Sequence, residues 1–250
     1  MTKTVQSGQP GTWGPVDHGP QATLWQTGPA AVGKPLIVFD LDGTLLDSRE
    51  TAMEGHRLAV EAMGLPPVSQ EVLAALNGPN SEQSCRILGI SVSRRAEFEA
   101  VMERIDDVIL RQRGKLFPGV LSMLHELSAE ATLGLLTNGS PAYMELACQV
   151  TGMTHCFAER TGFVPGFSKQ DRIRAWQSRH GAPRALMVGD RAGDVAAAHA
   201  AGALAIGAVY GVGAPDELAQ ADALAADIRQ VHSLCLAFLQ GAWGGENRRG

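Results

Sequence analysis

Three short apolar runs, Leu36–Phe39, Thr132–Leu136 and Ala185–Val188, each stop at residues able to do chemistry. Continuous apolar runs of this length, bounded by turn residues, read as strands buried on both faces. Helical patterns alternate with them. Val120–Ala129 precedes the second run. Pro141–Val150 follows it, with Ser140 as N-cap and Pro141 at the first helical position. Gly193–Ala201, stopped by Gly202, leads from the third run into a fourth, Leu204–Val209. This alternation implies an α/β class, a doubly wound parallel sheet with helices on both faces. In open sheets of this kind ligands bind outside the carboxyl ends of the strands.

The residues at those ends are therefore the ones to read. The first run ends in Asp40-Leu41-Asp42-Gly43-Thr44. Asp40 and Asp42 would point the same way if the strand continued, and Gly43 lets the chain turn away. Two crowded carboxylates repel unless something positive sits between them. Mg²⁺ is the natural candidate, being a hard cation that prefers oxygen ligands. The second run ends at Thr137-Asn138, and the third at Gly189-Asp190 with Asp194 four residues on. Ser168-Lys169-Gln170-Asp171 has the form of a helix start, with Ser168 as cap and Asp171 three residues later. A lysine in a first helical turn opposes the helix dipole. Lys169 is either a surface side chain with its head in solvent or the positive partner of a phosphate or carboxylate.

In this order the four pieces resemble the motifs of the haloacid dehalogenase-like (HAD) hydrolase superfamily, and the likeness runs from about Pro35 to Val231. The resemblance implies a Rossmann-like core and a Mg²⁺-dependent phosphatase. In that reading Asp40 is the nucleophile that forms an aspartyl-phosphate, and Asp42 protonates the leaving oxygen and then activates water. Thr137 and the neighbouring backbone, with Asn138, Gly139, Gly43 and Thr44, would hold the phosphoryl oxygens. Lys169 would offset charge. Asp190 would bind Mg²⁺ together with Asp40 and the backbone carbonyl of Asp42, with Asp194 in support. Gln170 and Ser168 stand where many relatives carry proline and glycine, and neither change removes a reacting group.

No strand signal appears between Ser48 and about Lys115. Helices are expected from Ser48 to about Met63, from Ser69 to near Leu76, from Ser81, and from about Ser93 to Arg113, where Phe98, Val101, Met102, Ile105, Val108 and Ile109 recur at helical spacing. An all-helical block inside an α/β chain reads as an insertion. It matches the small cap of the phosphoglycolate phosphatase-like subgroup, as does the stretch Gly207–Gly213. The expected organisation is an arm at 1–34, a core at 35–47 and 116–240, a helical cap at 48–115 and a tail at 241–250. His56, Arg57, Asn77, Gly78, Asn80 and Ser81 are candidates to contact the leaving group, or else ordinary helix-surface and turn residues.

The net charge of −5 gives no electrostatic reason to expect nucleic acid or an anionic membrane as partner. A small phosphorylated metabolite is the expected partner. Cys85, Cys148, Cys156 and Cys235 lack any C-x-x-C spacing and read as free thiols in a reducing compartment. With neither an apolar leader nor a membrane-spanning run, a cytoplasmic protein is expected. The Gly/Pro-rich arm carries Trp13 and Trp25, which either pack on the domain surface or form a docking motif for a protein partner; the tail carries Trp243 and Arg248-Arg249. Two further readings stay open: a β-phosphoglucomutase-like mutase built on the same core, and a non-enzymatic binding or assembly factor using the arm. The dehalogenase and phosphonatase branches lack the second aspartate that Asp42 supplies here.

Overall fold

The apolar runs form the centre of a parallel sheet of six strands among the described residues, in the order β3-β2-β1-β4-β5-β6. The strands are β1 (Leu36–Phe39), β2 (Thr132–Leu136), β3 (Glu159–Thr161), β4 (Ala185–Gly189), β5 (Leu204–Ala208) and β6 (Ala223–Ala225). The computed structural model describes residues 33–242. The expected arm up to residue 32 and the tail from residue 243, with Trp13, Trp25, Trp243, Arg248 and Arg249, lie outside the described residues.

β1 runs between β2 and β4, with Phe39 opposite both Leu135 and Val188. Side chains alternate across it, so each face has its own core. Ile37 and Phe39 pack with α5 (Val120–Glu130), α6 (Pro141–Thr151) and α9 (Ile228–Leu239), through residues such as Leu124, Ala147 and Val231. Leu36 and Val38 pack on the other face with α7 (Lys169–His180) and α8 (Ala192–Ala200), through Ile173, Trp176 and Val195. All four side chains of β1 are fully buried. This explains why the run contains no polar residue.

The block between β1 and β2 is helical, as expected: α1 (Arg49–Ala62), α2 (Gln70–Ala75), α3 (Ser81–Ile87) and α4 (Arg95–Arg113), the last preceded by one 3-10 turn at Val92–Arg94. Ser69 caps α2 through the Val72 N–H, whereas α3 is capped by Asn80 rather than by Ser81. The insert has a separate core in which Ala59, Met63, Cys85, Phe98 and Val101 meet. Its entry and exit pair with each other: Asp47 N–H donates to Lys115 O at 3.0 Å, and Phe117 N–H to Leu45 O at 3.0 Å. Two antiparallel connections side by side join the insert to the core.

The four thiols are unpaired, and three of them are buried. Among the described residues no helix is long and apolar enough to cross a membrane.

Candidate active site

The strand order reverses direction of winding between β1 and β4, where a crevice opens at the carboxyl edge. Asp40 follows β1 and Asp190 follows β4, so neighbouring strands in register bring two buried carboxylates to this point. Asp194 joins them from the first turn of α8, where its Oδ2 accepts the Arg191 N–H at 3.2 Å. One carboxylate oxygen from each of Asp40, Asp190 and Asp194 lies within 4.8 Å of the others.

Lys169 is the cation that meets them. Ser168 and Asp171 close a capping box that starts α7 at Lys169. From there Nζ donates to Asp40 Oδ1 and to Asp194 Oδ1, both at 2.6 Å. Burial alone would lower the lysine's pKa, but Asp194 and Asp40 outweigh it and hold the ammonium form. Burial pushes the Asp40 carboxyl well above the ordinary carboxylate range; Lys169 pulls it back, and Asp194 and Asp190 add to the rise. Asp190 is raised to about 6 by burial and Asp194, against the Val212 and Gly213 N–H groups. Two of the three buried acids share one ammonium, and the remaining negative charge is what a divalent cation would neutralise. The donor set, all carboxylate oxygen, suits a hard divalent cation.

Asp190 is held on several sides. Its Oδ2 accepts the Val212 N–H at 2.6 Å, and Thr44 Oγ1 donates to Oδ1 at 3.4 Å. Gly43 turns with φ of 74°, and a side chain there or at Gly211 would strike Asp190. Gly43 and Thr44 thus touch the metal-candidate carboxylate and do not line the main cavity.

Asp42 is engaged differently. Its carboxyl accepts Tyr143 Oη–H at 2.6 Å and Thr137 Oγ1–H at 3.4 Å. Burial raises its pKa, opposed by these hydrogen bonds. The Ser48 hydroxyl faces the same carboxyl but makes no hydrogen bond of ordinary length. The Asp42 carboxyl stands outside the three-aspartate group, so any contact of this residue with a cation is left to its backbone carbonyl. Thr137 Oγ1 also accepts the Gly139 N–H at 3.0 Å, which fixes the turn after β2.

A cavity of about 960 Å³ lies over these groups, walled by the sheet edge and by the helical insert. Of the expected substrate-side residues, His56, Asn77, Gly78, Ser81, Asn138 and Gly139 line it. Asn138 Nδ2 donates to the Gly78 carbonyl at 2.8 Å, joining core to insert. Two expectations are corrected. Arg57 lies exposed on the outer side of α1, beside Glu61 at 3.4 Å. Asn80 spends its side chain capping α3 and is absent from the cavity wall. The sequence reading missed Tyr143, Arg191 and Asp106. Arg191 Nη1 donates to the Asn77 carbonyl at 2.6 Å while its Nε pairs with Glu217 at 3.1 Å. Asp106 lines the cavity from α4.

The model of the family described as haloacid dehalogenase-like hydrolase matches residues 37–208. The phosphoglycolate phosphatase of Synechococcus elongatus is 31% identical over 179 residues, covering 70% of this chain and 84% of the relative. That of Vibrio cholerae is 30% identical over 202 residues, covering 75% and 89%. A haloacid dehalogenase-like family hydrolase from Streptococcus pneumoniae superimposes with a TM-score of 0.69 at 23% identity, covering 83% of this chain and 99% of that one. The chain belongs to the haloacid dehalogenase-like hydrolase family. Within it, the chain falls in the phosphoglycolate phosphatase-like subgroup with a helical cap.

Proposed function

We propose that the protein is a Mg²⁺-dependent phosphatase that hydrolyses a small phosphomonoester through an aspartyl-phosphate on Asp40. The observation that carries this reading is Lys169, bonded at 2.6 Å to both Asp40 and Asp194 beside Asp190 at the switch point of the sheet. Asp40, Asp190 and Asp194 would hold the Mg²⁺, with the Asp42 backbone carbonyl. When bound, the ion would offset the negative charge that otherwise keeps an anionic nucleophile from an anionic phosphate.

Asp40 attacks phosphorus, and the bond from phosphorus to the ester oxygen breaks. Asp42 gives its proton to that leaving oxygen. Its burial-raised pKa favours the protonated form this step needs, and the Tyr143 bond fixes its direction. Asp42 then takes a proton from water, which attacks the aspartyl-phosphate and frees phosphate and Asp40. Lys169 favours the ionised form of Asp40 against burial and attracts the phosphoryl oxygens, and the Thr137–Gly139 turn offers hydroxyl and N–H donors to them. The insert, hinged near residues 48 and 115, would cover the site and exclude water. Phosphoglycolate is the substrate that the relatives' names suggest.

Phosphate release from a panel of small phosphoesters tests this, with Mg²⁺, with chelator, and for Asp40→Asn with Mg²⁺. Turnover only in the first case is expected. Undiminished turnover by Asp40→Asn would overturn the role of Asp40. Interconversion of sugar-phosphate isomers faster than phosphate release would replace hydrolysis by the mutase reading.

A further inference from the structure

The lining of the cavity carries a charge pattern of its own. Every lysine and arginine that lines it is already paired. Lys169 is held by Asp40 and Asp194, Arg191 by Glu217, Arg95 by Glu99 and Arg86 by Glu82. His56 is kept neutral by burial, with its Nδ1 on the Ala52 carbonyl at 2.8 Å. The acids are not balanced in the same way. Asp106, half-buried on α4, lines the cavity with no hydrogen bond or ion pair to any described residue. It stands near enough to Asp42 and Tyr143 for their charges to couple.

Two further oxygens point to the same kind of ligand. Asn77 and Ser48 line the cavity at 3% and 2% exposure. Asn77 Oδ1 has no hydrogen-bond partner among the described residues, and Ser48 Oγ, which faces the Asp42 carboxyl, makes no hydrogen bond of ordinary length. A buried polar atom without a partner is costly and marks a place where a ligand completes the structure. An amide oxygen and a carboxylate can only accept, and a serine hydroxyl can do so.

We propose that Asp106, with Asn77 and Ser48, makes this cavity select a neutral, hydroxyl-bearing leaving group, a polyol or sugar phosphate, and reject one that ends in a carboxylate. Donor hydroxyls satisfy the three acceptors. A carboxylate would find no free cation among the described residues that line the cavity and, wherever Asp106 is ionised, would meet a like charge, which is unfavourable. The inference rests on the phosphatase reading and narrows it away from phosphoglycolate.

The test is kcat/KM of the Mg²⁺-loaded protein, near pH 8, for glycerol 3-phosphate, glucose 6-phosphate, phosphoglycolate, phosphoethanolamine and p-nitrophenyl phosphate. The polyol or sugar ester is expected to exceed phosphoglycolate by about tenfold or more. Asp106→Lys should reverse that order, and the isosteric Asp106→Asn should shrink the ratio several-fold, so a folding failure of the first variant does not decide the matter. Preference for phosphoglycolate, or a ratio unmoved by both variants, overturns the inference while p-nitrophenyl phosphate turnover keeps the phosphatase reading. Preference for phosphoethanolamine over every hydroxylated ester overturns the neutral-ligand assignment. No turnover of any ester, p-nitrophenyl phosphate included, sinks the phosphatase reading and the inference together.

Discussion

Asp106→Asn should stabilise the metal-free protein, and more so as pH rises. Asp106 has a pKa raised from 3.8 to about 7, first by burial and then by Asp42 and Glu103. Tyr143, which lines the same cavity, stays neutral through this range because burial and Asp42 raise its pKa further. A carboxyl raised on folding binds more protons in the folded than in the unfolded state. Stability from it is therefore full below about pH 4 and is lost as pH climbs to about 7. The gap between the two values corresponds to about 4 kcal/mol. Asp106 is only half-buried and faces a solvent-accessible cavity, so screening reduces the expected gain to about 1–2 kcal/mol. For a domain of this size that is a rise of about 3–6 °C in Tm. Thermal melts of wild type and variant in chelator, near pH 5 and near pH 8, provide the assay. The variant should exceed wild type at both, by less near pH 5, where roughly two-fifths of the loss has set in, than near pH 8, where it is complete. An equal gain at both, or a loss at the higher pH, would refute the claim that an uncompensated charge sits at this position.

Three further outcomes follow from the same geometry. Lys169→Met removes the one ammonium shared by Asp40 and Asp194; it should cost about 3 kcal/mol in the metal-free protein by denaturant titration, partly restored by Mg²⁺, and abolish measurable turnover. Tyr143→Phe removes the 2.6 Å donor to Asp42, which lowers that residue's pKa; the limb of the kcat profile that reports Asp42 should move to higher pH, with a transition-state loss of about 1 kcal/mol. Gly211→Ala puts a methyl group against Asp190; the Mg²⁺ concentration for half-maximal activity should rise by about tenfold or more, and an unchanged value would contradict the tight seating of Asp190.

Much of the sheet was legible because its central strands are buried on both faces. The limits expected for β1 and β2 coincide with those observed, and β4 runs one residue further, to Gly189. The edge strands β3 and β6 were not legible. Each has three residues, and Glu159-Arg160-Thr161 has no apolar run; its strand form comes from pairing with β2. Helix α9 carries Ile228, Val231, Cys235 and Phe238 on a buried face at helical spacing, a pattern that periodicity could have found. In the site, Asp40, Asp190 and Lys169 stand at strand ends or a helix start, positions that local sequence marks. Tyr143 and Arg191 act across separations of 101 and 114 residues, through hydrogen bonds that only the folded chain creates, and Asp106 is brought beside Asp42 in the same way. Arg57 and Asn80 failed for a related reason: local pattern says that a residue lies on a helix or at its cap, not which way that helix faces.

The central claim is that phosphate passes through a covalent bond to Asp40. Acid-quenching the protein during Mg²⁺-supported turnover, then mapping peptides by mass, tests it directly. A gain of one phosphoryl group on the peptide containing Asp40, absent with chelator and in Asp40→Asn, is the predicted result. Phosphate release without any such adduct, or an adduct on another residue, would contradict the account.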